Sequence, residues 1–313
     1  MNGKKRRSSR FPPENSETPL FPGLAPVLGP TAGQALIKRP SLPIWTKNKA
    51  RLVQEYLRLF VLITHHGDYI DGFAGPQKDE AWAAKLVLES QPAWLRKFFL
   101  FEKDPTSFGR LQTLKAAQPP VPNRTIEVHH GDFNALVHPL LASGRIKPTE
   151  ATFCLLDQRT FECQWATVVA LAKHRNSGNK IELFYFLAAG WLDRAVSGMG
   201  DPETKLLPWW GRDDWRAFLV WSNVERRKEA VKRFRDELGY RHVLAWPIYD
   251  REQSGGRIMY YMIHASDHDQ APLLMGRSYA AAVRPLASEQ PSLLHDDLPT
   301  QGHTPTKRST KTK

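Results

Sequence analysis

The chain has 313 residues, 41% of them hydrophobic and 11% aromatic, which is enough to bury one large core. No run approaches the roughly 20 apolar residues that a membrane-spanning helix needs, and two cysteines without a secretory segment predict a reducing cytoplasm rather than a disulfide-rich secreted fold. The formal net charge of +12 favours a polyanionic partner such as nucleic acid, without identifying one.

Both ends of the chain are predicted to be disordered basic tails. Residues 1–43 are rich in Pro, Gly, Ser and charge, and they show no sustained hydrophobic period. Residues 288–313 have a similar composition. We therefore expect one folded domain over residues 44–287, with tails that act as basic arms or keep the protein in solution.

Strands and helices are predicted to alternate from residue 45 onward. A broad apolar face at helical spacing predicts a first helix over residues 45–64. Predicted strands follow at 68–71, 97–102, 125–129, 152–157 and 180–186, and predicted helices lie between them at 81–90, 105–116, 134–142 and 162–174. This alternation indicates an α/β fold, a mostly parallel sheet with helices on both faces.

The pattern changes after residue 191, where a helical insertion is predicted over about 191–240. Trp209 and Trp210 are expected to anchor this insertion as a lid over the sheet end, in preference to stacking nucleobases. A charged amphipathic helix is predicted at 224–238. Two late strands, at 242–249 and 257–264, are expected to pair antiparallel at the sheet edge through the turn Ser254-Gly255-Gly256.

Acidic residues follow four successive apolar runs. The first, Asp71, precedes a turn of Gly72, Phe73, Ala74 and Gly75, whose glycines are expected to allow positive φ and close approach of a ligand. The other three acids are Glu102, Asp132 and Asp157. Because the carboxyl ends of parallel strands converge on one crevice, we expect the four acids to line a single pocket.

The spacing of these acids argues against a dinucleotide cofactor. Glu102 lies 31 residues after Asp71, more than the roughly 20 of the minimal fingerprint, and a third glycine is missing. S-adenosylmethionine has no pyrophosphate and suits an acidic turn. Its ammonium would lie near the Asp71 turn, its ribose hydroxyls on Glu102 and its adenine amino group on Asp132, while Asp157 would face the sulfonium and the methyl acceptor.

Other chemistries are possible for these residues. Asp104, which precedes Pro105, is expected to cap the next helix. His129 and His130 would point to opposite faces of a strand, so no metal ligands are predicted. Both cysteines are expected to be small buried hydrophobic residues, and no neighbouring His supports Cys163 as a nucleophile.

Four segments carry a resemblance to a known family: Tyr69-Ile70-Asp71-Gly72-Phe73-Ala74-Gly75-Pro76, Phe101-Glu102-Lys103-Asp104, Gly131-Asp132-Phe133 and Leu155-Leu156-Asp157. They resemble the three-Cys-motif partner family, over roughly residues 45–284. The resemblance implies a Rossmann-like, S-adenosylmethionine-dependent methyltransferase fold. It also implies a separate partner protein similar to radical S-adenosylmethionine enzymes.

The chain departs from that family at two places. It has Gln77 where many relatives have glycine, and it reads Asp157-Gln158-Arg159-Thr160-Phe161 where many have Asp-Pro-Phe-Gly. In this chain Asp157 would orient the acceptor or take its proton, Gln158 and Arg159 would hold the substrate, and Phe161 would form an aromatic wall.

Three functions follow as hypotheses. The leading one is an S-adenosylmethionine-dependent methyltransferase acting on a macromolecule, with nucleic acid favoured over protein by the basic charge. The second is a binding subunit that keeps the cofactor fold and works through its radical S-adenosylmethionine-like partner without turnover. The third is a nuclease that uses the clustered acids with magnesium.

Overall fold

The computed structural model describes residues 44–76, 81–175, 177–190, 192–197, 199–249 and 258–282. The predicted tails at 1–43 and 288–313, Gln77, and the predicted turn at 254–256 lie outside the described residues.

Strands and helices alternate along the described chain, as predicted. The strands are β1 (Ile44–Trp45), β2 (Gly67–Asp71), β3 (Leu95–Glu102), β4 (Thr125–His130), β5 (Thr152–Leu156), β6 (Glu182–Ala188), β7 (His242–Tyr249) and β8 (Ile258–Ser266). The helices are α1 (Thr46–Thr64), α2 (Ala83–Leu88), α3 (Pro105–Ala116), α4 (Phe133–Ala142), α5 (Trp165–Ala172), α6 (Leu192–Ser197), α7 (Pro202–Trp210), α8 (Trp215–Val220), α9 (Asn223–Asp236) and α10 (Ala271–Ala282).

The strands of the described chain form one sheet with the order β1-β7-β8-β6-β5-β2-β3-β4. Strands β6, β5, β2, β3 and β4 are parallel, and β8 is antiparallel to both of its neighbours. From β2 onward, the first five strands therefore have the 3-2-1-4-5 order of a doubly wound fold. The predicted α/β class with a mostly parallel sheet is confirmed.

The edge of the sheet differs from the prediction in one respect. Strands β7 and β8 pair antiparallel as expected, but neither is an edge strand, because β1 pairs in parallel with β7 through Ile44 and Ile248. A strand of two residues is too short to show a period, so the sequence pattern did not reveal it.

The core is centred on three strands that are buried along their whole length, β2, β5 and β6. Their apolar runs are continuous because a parallel sheet with helices on both faces leaves no strand face in water. Tyr69 stacks on Phe153, which also contacts Phe184 and Tyr56 of α1. Helix α1 packs with α2 and α10, whereas α5 packs with α4 and α7. These layers fix the carboxyl ends of the central strands.

Helices α6 to α9 lie between β6 and β7 in the chain, where the helical insertion was predicted. Arg233 of α9 is buried, with its guanidinium carbon 3.8 Å from the ring centre of Trp165 and 4.4 Å from that of Trp210. It also donates a hydrogen bond of 2.6 Å to the Trp210 carbonyl. Trp209 is buried with its ring edge-on to Phe161. These contacts hold α7 beside the β5–α5 connection.

Candidate functional site

A cleft of about 330 Å³ lies at the carboxyl ends of β2, β3, β4 and β5. Three of the four predicted acids line it, Glu102, Asp132 and Asp157, and α7 contributes Thr204, Lys205 and Pro208. Asp71 instead lines a much smaller adjoining recess, together with Asp157, Gly75 and Trp82. The sheet therefore brings the four acids to one edge, divided between two hollows whose linings both include Gly75 and Asp157.

Asp71 is an internal support of the first turn. Its side chain is buried; Oδ2 accepts a hydrogen bond of 2.9 Å from the Tyr69 hydroxyl, and Oδ1 accepts one of 3.1 Å from the Phe73 amide. Burial raises the pKa of Asp71 to about 7; these hydrogen bonds oppose the shift, and the Asp157 and Glu102 carboxylates add to it. Asp71 is therefore poised to change its charge near neutral pH.

The two glycines of this turn are needed for space. The freedom to adopt positive φ is not used here, since neither Gly72 nor Gly75 has a positive φ. A Cβ at Gly72 would lie 2.7 Å from the Phe133 ring, and one at Gly75 would lie 1.8 Å from Oε2 of Glu102. The turn packs so closely against the ends of its neighbours that a larger residue at either position would displace Phe133 or Glu102.

Glu102 is held at the end of β3 by the backbone that follows it. Its Oε1 accepts hydrogen bonds of 2.8 Å from the amides of Lys103 and Asp104, and its Oε2 lies beside Gly75. The carboxylate therefore has a defined orientation at the cleft wall. Contact with a ribose stays a prediction. Asp104 accepts a 2.8 Å hydrogen bond from the Ser107 amide, so its predicted capping of α3 is confirmed.

Asp132 is exposed and caps α4. Its Oδ1 accepts hydrogen bonds of 2.9 Å from both the amide and the side-chain nitrogen of Asn134. Sequence reasoning missed Asn134, which also accepts from the Gln164 amide and the Thr167 hydroxyl and donates to the Glu162 carbonyl. Asn134 thereby joins the β4 end to the β5–α5 connection, and its position just after the cap gave no signal of this.

Asp157 forms a buried ion pair with Lys49 of α1. Lys49 Nζ lies 2.5 Å from Asp157 Oδ2, with 7% and 11% of the two side chains exposed. Burial alone lowers the pKa of Lys49, but the charge and hydrogen bonding of the Asp157 carboxylate outweigh it and raise that pKa above its ordinary value. Sequence reasoning missed Lys49, although it precedes Leu52 and Val53 by three and four residues and so lies on the apolar face of α1.

The residues after Asp157 have different environments. Gln158 is buried, with Nε2 donating to the Phe186 carbonyl at 3.1 Å and Oε1 accepting from the Cys163 amide at 2.7 Å. Arg159 is exposed and lines the cleft, and its amide donates to Glu162. Phe161 lines the cleft wall beside Trp209. Asp157 and Arg159 thus line the cleft. The Gln158 side chain does not, because its nitrogen and its oxygen both form hydrogen bonds within the protein.

Both cysteines, and the adjacent histidines His129 and His130, make packing contacts. Cys154 and Cys163 are buried, and burial raises the pKa of both thiols, as expected of small buried residues. His129 stacks on Phe101, and His130 stacks on Phe108. Among the described residues, no group of three or more His, Cys, Asp or Glu is placed to hold a metal ion. No helix in the described ranges has both the length and the apolar character needed to cross a membrane.

A scan of protein families finds no match to this chain, and neither does a sequence search of curated proteins. The resemblance to the three-Cys-motif partner family therefore rests on the quoted motifs alone.

Solved structures show weak likenesses. TYW2 of Pyrococcus horikoshii, solved in complex with MeSAdo, is 16% identical, with a TM-score of 0.33 over 70% of this chain and 60% of that one. PH0793 of the same organism, provisionally named a transferase, is 15% identical, with a TM-score of 0.33 over 69% and 62%. LPL1258 of Legionella pneumophila is 11% identical, with a TM-score of 0.40 over 74% and 91%. This chain spans less than two thirds of the length of the two Pyrococcus proteins. The fold assignment rests on the strand order of the sheet and not on these likenesses.

Proposed function

We propose that this protein is an S-adenosylmethionine-dependent methyltransferase. The observation that carries the proposal is Glu102, whose carboxylate is oriented by two backbone amides at the end of β3 and meets a glycine turn at the end of β2. In a doubly wound sheet, the acid at the end of the second strand accepts hydrogen bonds from a cofactor ribose. The cleft volume, about 330 Å³, is within the range of small-molecule sites.

The residues around the cleft fit this cofactor. Glu102 would hold the ribose hydroxyls, and Asp132 with the backbone of Phe133 would hold the adenine. The turn of Gly72, Phe73, Ala74 and Gly75, supported by Asp71, would hold the amino-acid end. When bound, the cofactor supplies an activated methyl group, so the protein needs mainly to position the acceptor.

Positioning would fall to the β5–α5 connection. Asp157, held by Lys49, would orient the acceptor at the cleft wall. The exposed side chain of Arg159 would bind the acceptor molecule at the rim. Gln158 would act indirectly, because its hydrogen bonds to Phe186 and Cys163 fix the path of the chain. Cys163 is unsuited to covalent catalysis, since burial raises the pKa of its thiol.

The formal charge of +12 over the whole chain favours a nucleic-acid acceptor or a nucleic-acid-associated target. At the cleft itself, the exposed cations Lys103, Arg159 and Lys205 lie among five carboxylates. Such cations contact phosphates and bring the polyanion to the site. The resemblance adds a further proposal, a radical S-adenosylmethionine-like partner protein. The use of only two cysteines supports a proposed cytoplasmic location.

Calorimetry with S-adenosylmethionine and with its product thioether tests the cofactor. We expect the wild type to bind both, and Glu102→Gln to bind at least about tenfold more weakly because a charge-assisted hydrogen bond is removed. Glu89→Gln is the matched control, since Glu89 is exposed at the end of α2. A wild type that binds neither form would contradict the proposal, and magnesium-dependent cleavage of nucleic acid by that protein would favour the nuclease.

A cofactor-binding subunit without turnover is the second candidate. Two observations favour it: Asp157 is already paired with Lys49, and Gln158 has no free end to offer a substrate. Incubation with tritiated S-adenosylmethionine and total nucleic acid, with and without cell lysate, separates the two candidates. Label in nucleic acid supports the methyltransferase, and cofactor binding with no label under either condition supports the subunit.

A further inference from the structure

Lys49 is a buried cation next to the cofactor cleft, in a position where a lysine is seldom found. Helix α1 otherwise presents apolar side chains such as Leu52, Val53 and Tyr56 to the interior. The Lys49 ammonium lies 2.5 Å from Asp157 Oδ2 and 5.6 Å from the ring centre of Tyr260. A buried charge is tolerated only with a partner, so this pair is a specific feature of the cleft wall.

Lys49 is not suited to accept a methyl group itself. An amine attacks a sulfonium only through its neutral form. Burial favours that form, but the Asp157 carboxylate outweighs burial and raises the pKa of Lys49. Lys49 therefore stays an ammonium, and its effect on the cleft is electrostatic.

Asp157 depends on Lys49 for its charge balance. It lines both the cleft and the recess that contains Asp71, and in the described chain only its Oδ2 has a partner. The titratable groups that face this pair are Tyr260 on β8 and Asp71 and Tyr69 on β2. Lys49 is the cation of this set. Without it, the carboxylates of Asp71 and Asp157 would lie near each other in a poorly solvated region with no positive charge between them.

We propose that Lys49 is a positioning residue of the cleft: it holds one oxygen of Asp157, neutralises that carboxylate toward a bound ligand, and leaves the second oxygen for the methyl acceptor. This inference rests on the proposed function. S-adenosylmethionine carries a sulfonium charge that its product thioether lacks. A change that weakens both ligands equally cancels in the ratio of the two affinities, so opposite shifts of this ratio in variants of opposite charge report the charge of the cleft.

Calorimetry of four proteins with both ligands tests the proposal: wild type, Lys49→Met, Asp157→Asn and the double variant. Lys49→Met leaves the Asp157 carboxylate without its counter-ion and should shift the affinity ratio about tenfold in favour of S-adenosylmethionine. Asp157→Asn leaves the Lys49 ammonium unpaired and should shift the affinity ratio about tenfold in favour of the product thioether. The double variant removes both charges and should return the ratio to that of the wild type. Lys232→Met, an exposed position on α9, should change nothing.

The outcomes separate this inference from the proposed function. Opposite shifts in the single variants, cancelling in the double variant, support the positioning role. A purely structural role of Lys49 would weaken the binding of both ligands equally. An unchanged affinity ratio in Lys49→Met therefore overturns the positioning role, provided that circular dichroism shows a folded variant. A wild-type protein that binds neither ligand contradicts the proposed function instead.

Discussion

The backbone of Gly75 and the carboxylate of Glu102 lie so close together that no side chain fits at position 75 unless the carboxylate moves. A Cβ at Gly75 would lie 1.8 Å from Oε2 of Glu102, far inside van der Waals contact. Gly75→Ala must therefore displace the carboxylate from its place at the cleft wall. We expect at least about tenfold weaker binding of the product thioether, as for removal of one charge-assisted hydrogen bond, measured by calorimetry.

Gly109→Ala provides the matched control. Gly109 lies within α3, and a Cβ there would meet no atom within 4 Å. It should stabilise the protein by about 0.5–1 kcal/mol in chemical denaturation and leave binding unchanged. Equal affinity of wild type and Gly75→Ala would show that Glu102 does not contact the ligand.

Asp71 makes the stability of the protein depend on pH. Burial raises its pKa to about 7 in the folded state from an ordinary 3.8. A group with a raised folded pKa contributes its full stability below the unfolded pKa and loses it as pH rises to the folded pKa. Asp71→Asn, which cannot ionise, should therefore gain stability over the wild type as pH rises from 4 to 8, reaching a few kcal/mol.

Urea denaturation of both proteins at several pH values measures this effect. Asp68 is also buried with a raised pKa, so the difference between the two proteins isolates Asp71. A difference that does not change with pH would mean that Asp71 is ionised throughout. Disruption of the hydrogen-bond geometry with Tyr69 would appear as a constant offset instead.

At the level of elements, long apolar or strongly periodic segments were predictable. Helix α3 has the predicted bounds, because Asp104 and Pro105 mark its start. Strand β7 also has its predicted bounds. Helix α5 is shorter than predicted at both ends. At its start, Gln158 and Asn134 accept hydrogen bonds from the amides of Cys163 and Gln164 and hold these residues in a loop before the helix. Helix α10 was not predicted, and only its packing on α1 explains its place in the fold.

One buried side chain connects α9 and α7 of the helical insertion to α5. Arg233 lies between the rings of Trp165 and Trp210 and bonds to Glu237 and the Trp210 carbonyl. Arg233→Met should cost about 3 kcal/mol, because it breaks a buried charged network and leaves partners unpaired. Since α7 lines the cleft, we also expect faster proteolysis within the insertion and weaker ligand binding.

Limited proteolysis and calorimetry on the same samples check this prediction. Arg227→Met, on the same helix but only partly buried, serves for comparison. Proteolysis at the wild-type rate in Arg233→Met would show that the aromatic contacts of α7 hold the insertion without the arginine.

At the level of the whole molecule, charge should govern association with a polyanion. Lys103, Arg159 and Lys205 are brought to the cleft mouth from three different parts of the chain. Replacing all three by glutamine should weaken nucleic-acid binding and reduce its dependence on salt, by roughly 0.7–0.9 in the log–log slope for each phosphate that the variant no longer neutralises. Fluorescence anisotropy over a range of salt concentrations measures both quantities.

A second triple variant controls for net charge. Lys228, Lys232 and Arg235 are exposed on α9, and their replacement by glutamine removes the same formal charge from another element. Equal effects of the two triple variants would indicate attraction by overall charge alone, and the cleft would then have no special part in binding.

The sequence by itself determined the features that neighbouring residues encode. Continuous apolar runs specified the central strands, and an acid after each run specified the edge of the sheet where a site would form, because parallel strands end together. Only the tertiary structure decided which groups meet there. The pairing of Lys49 with Asp157, the crowding of Gly75 by Glu102 and the burial of Gln158 each join segments that are distant in the chain. Such contacts depend on how the layers of the fold pack against each other. A local pattern of residues does not specify which distant residues will meet.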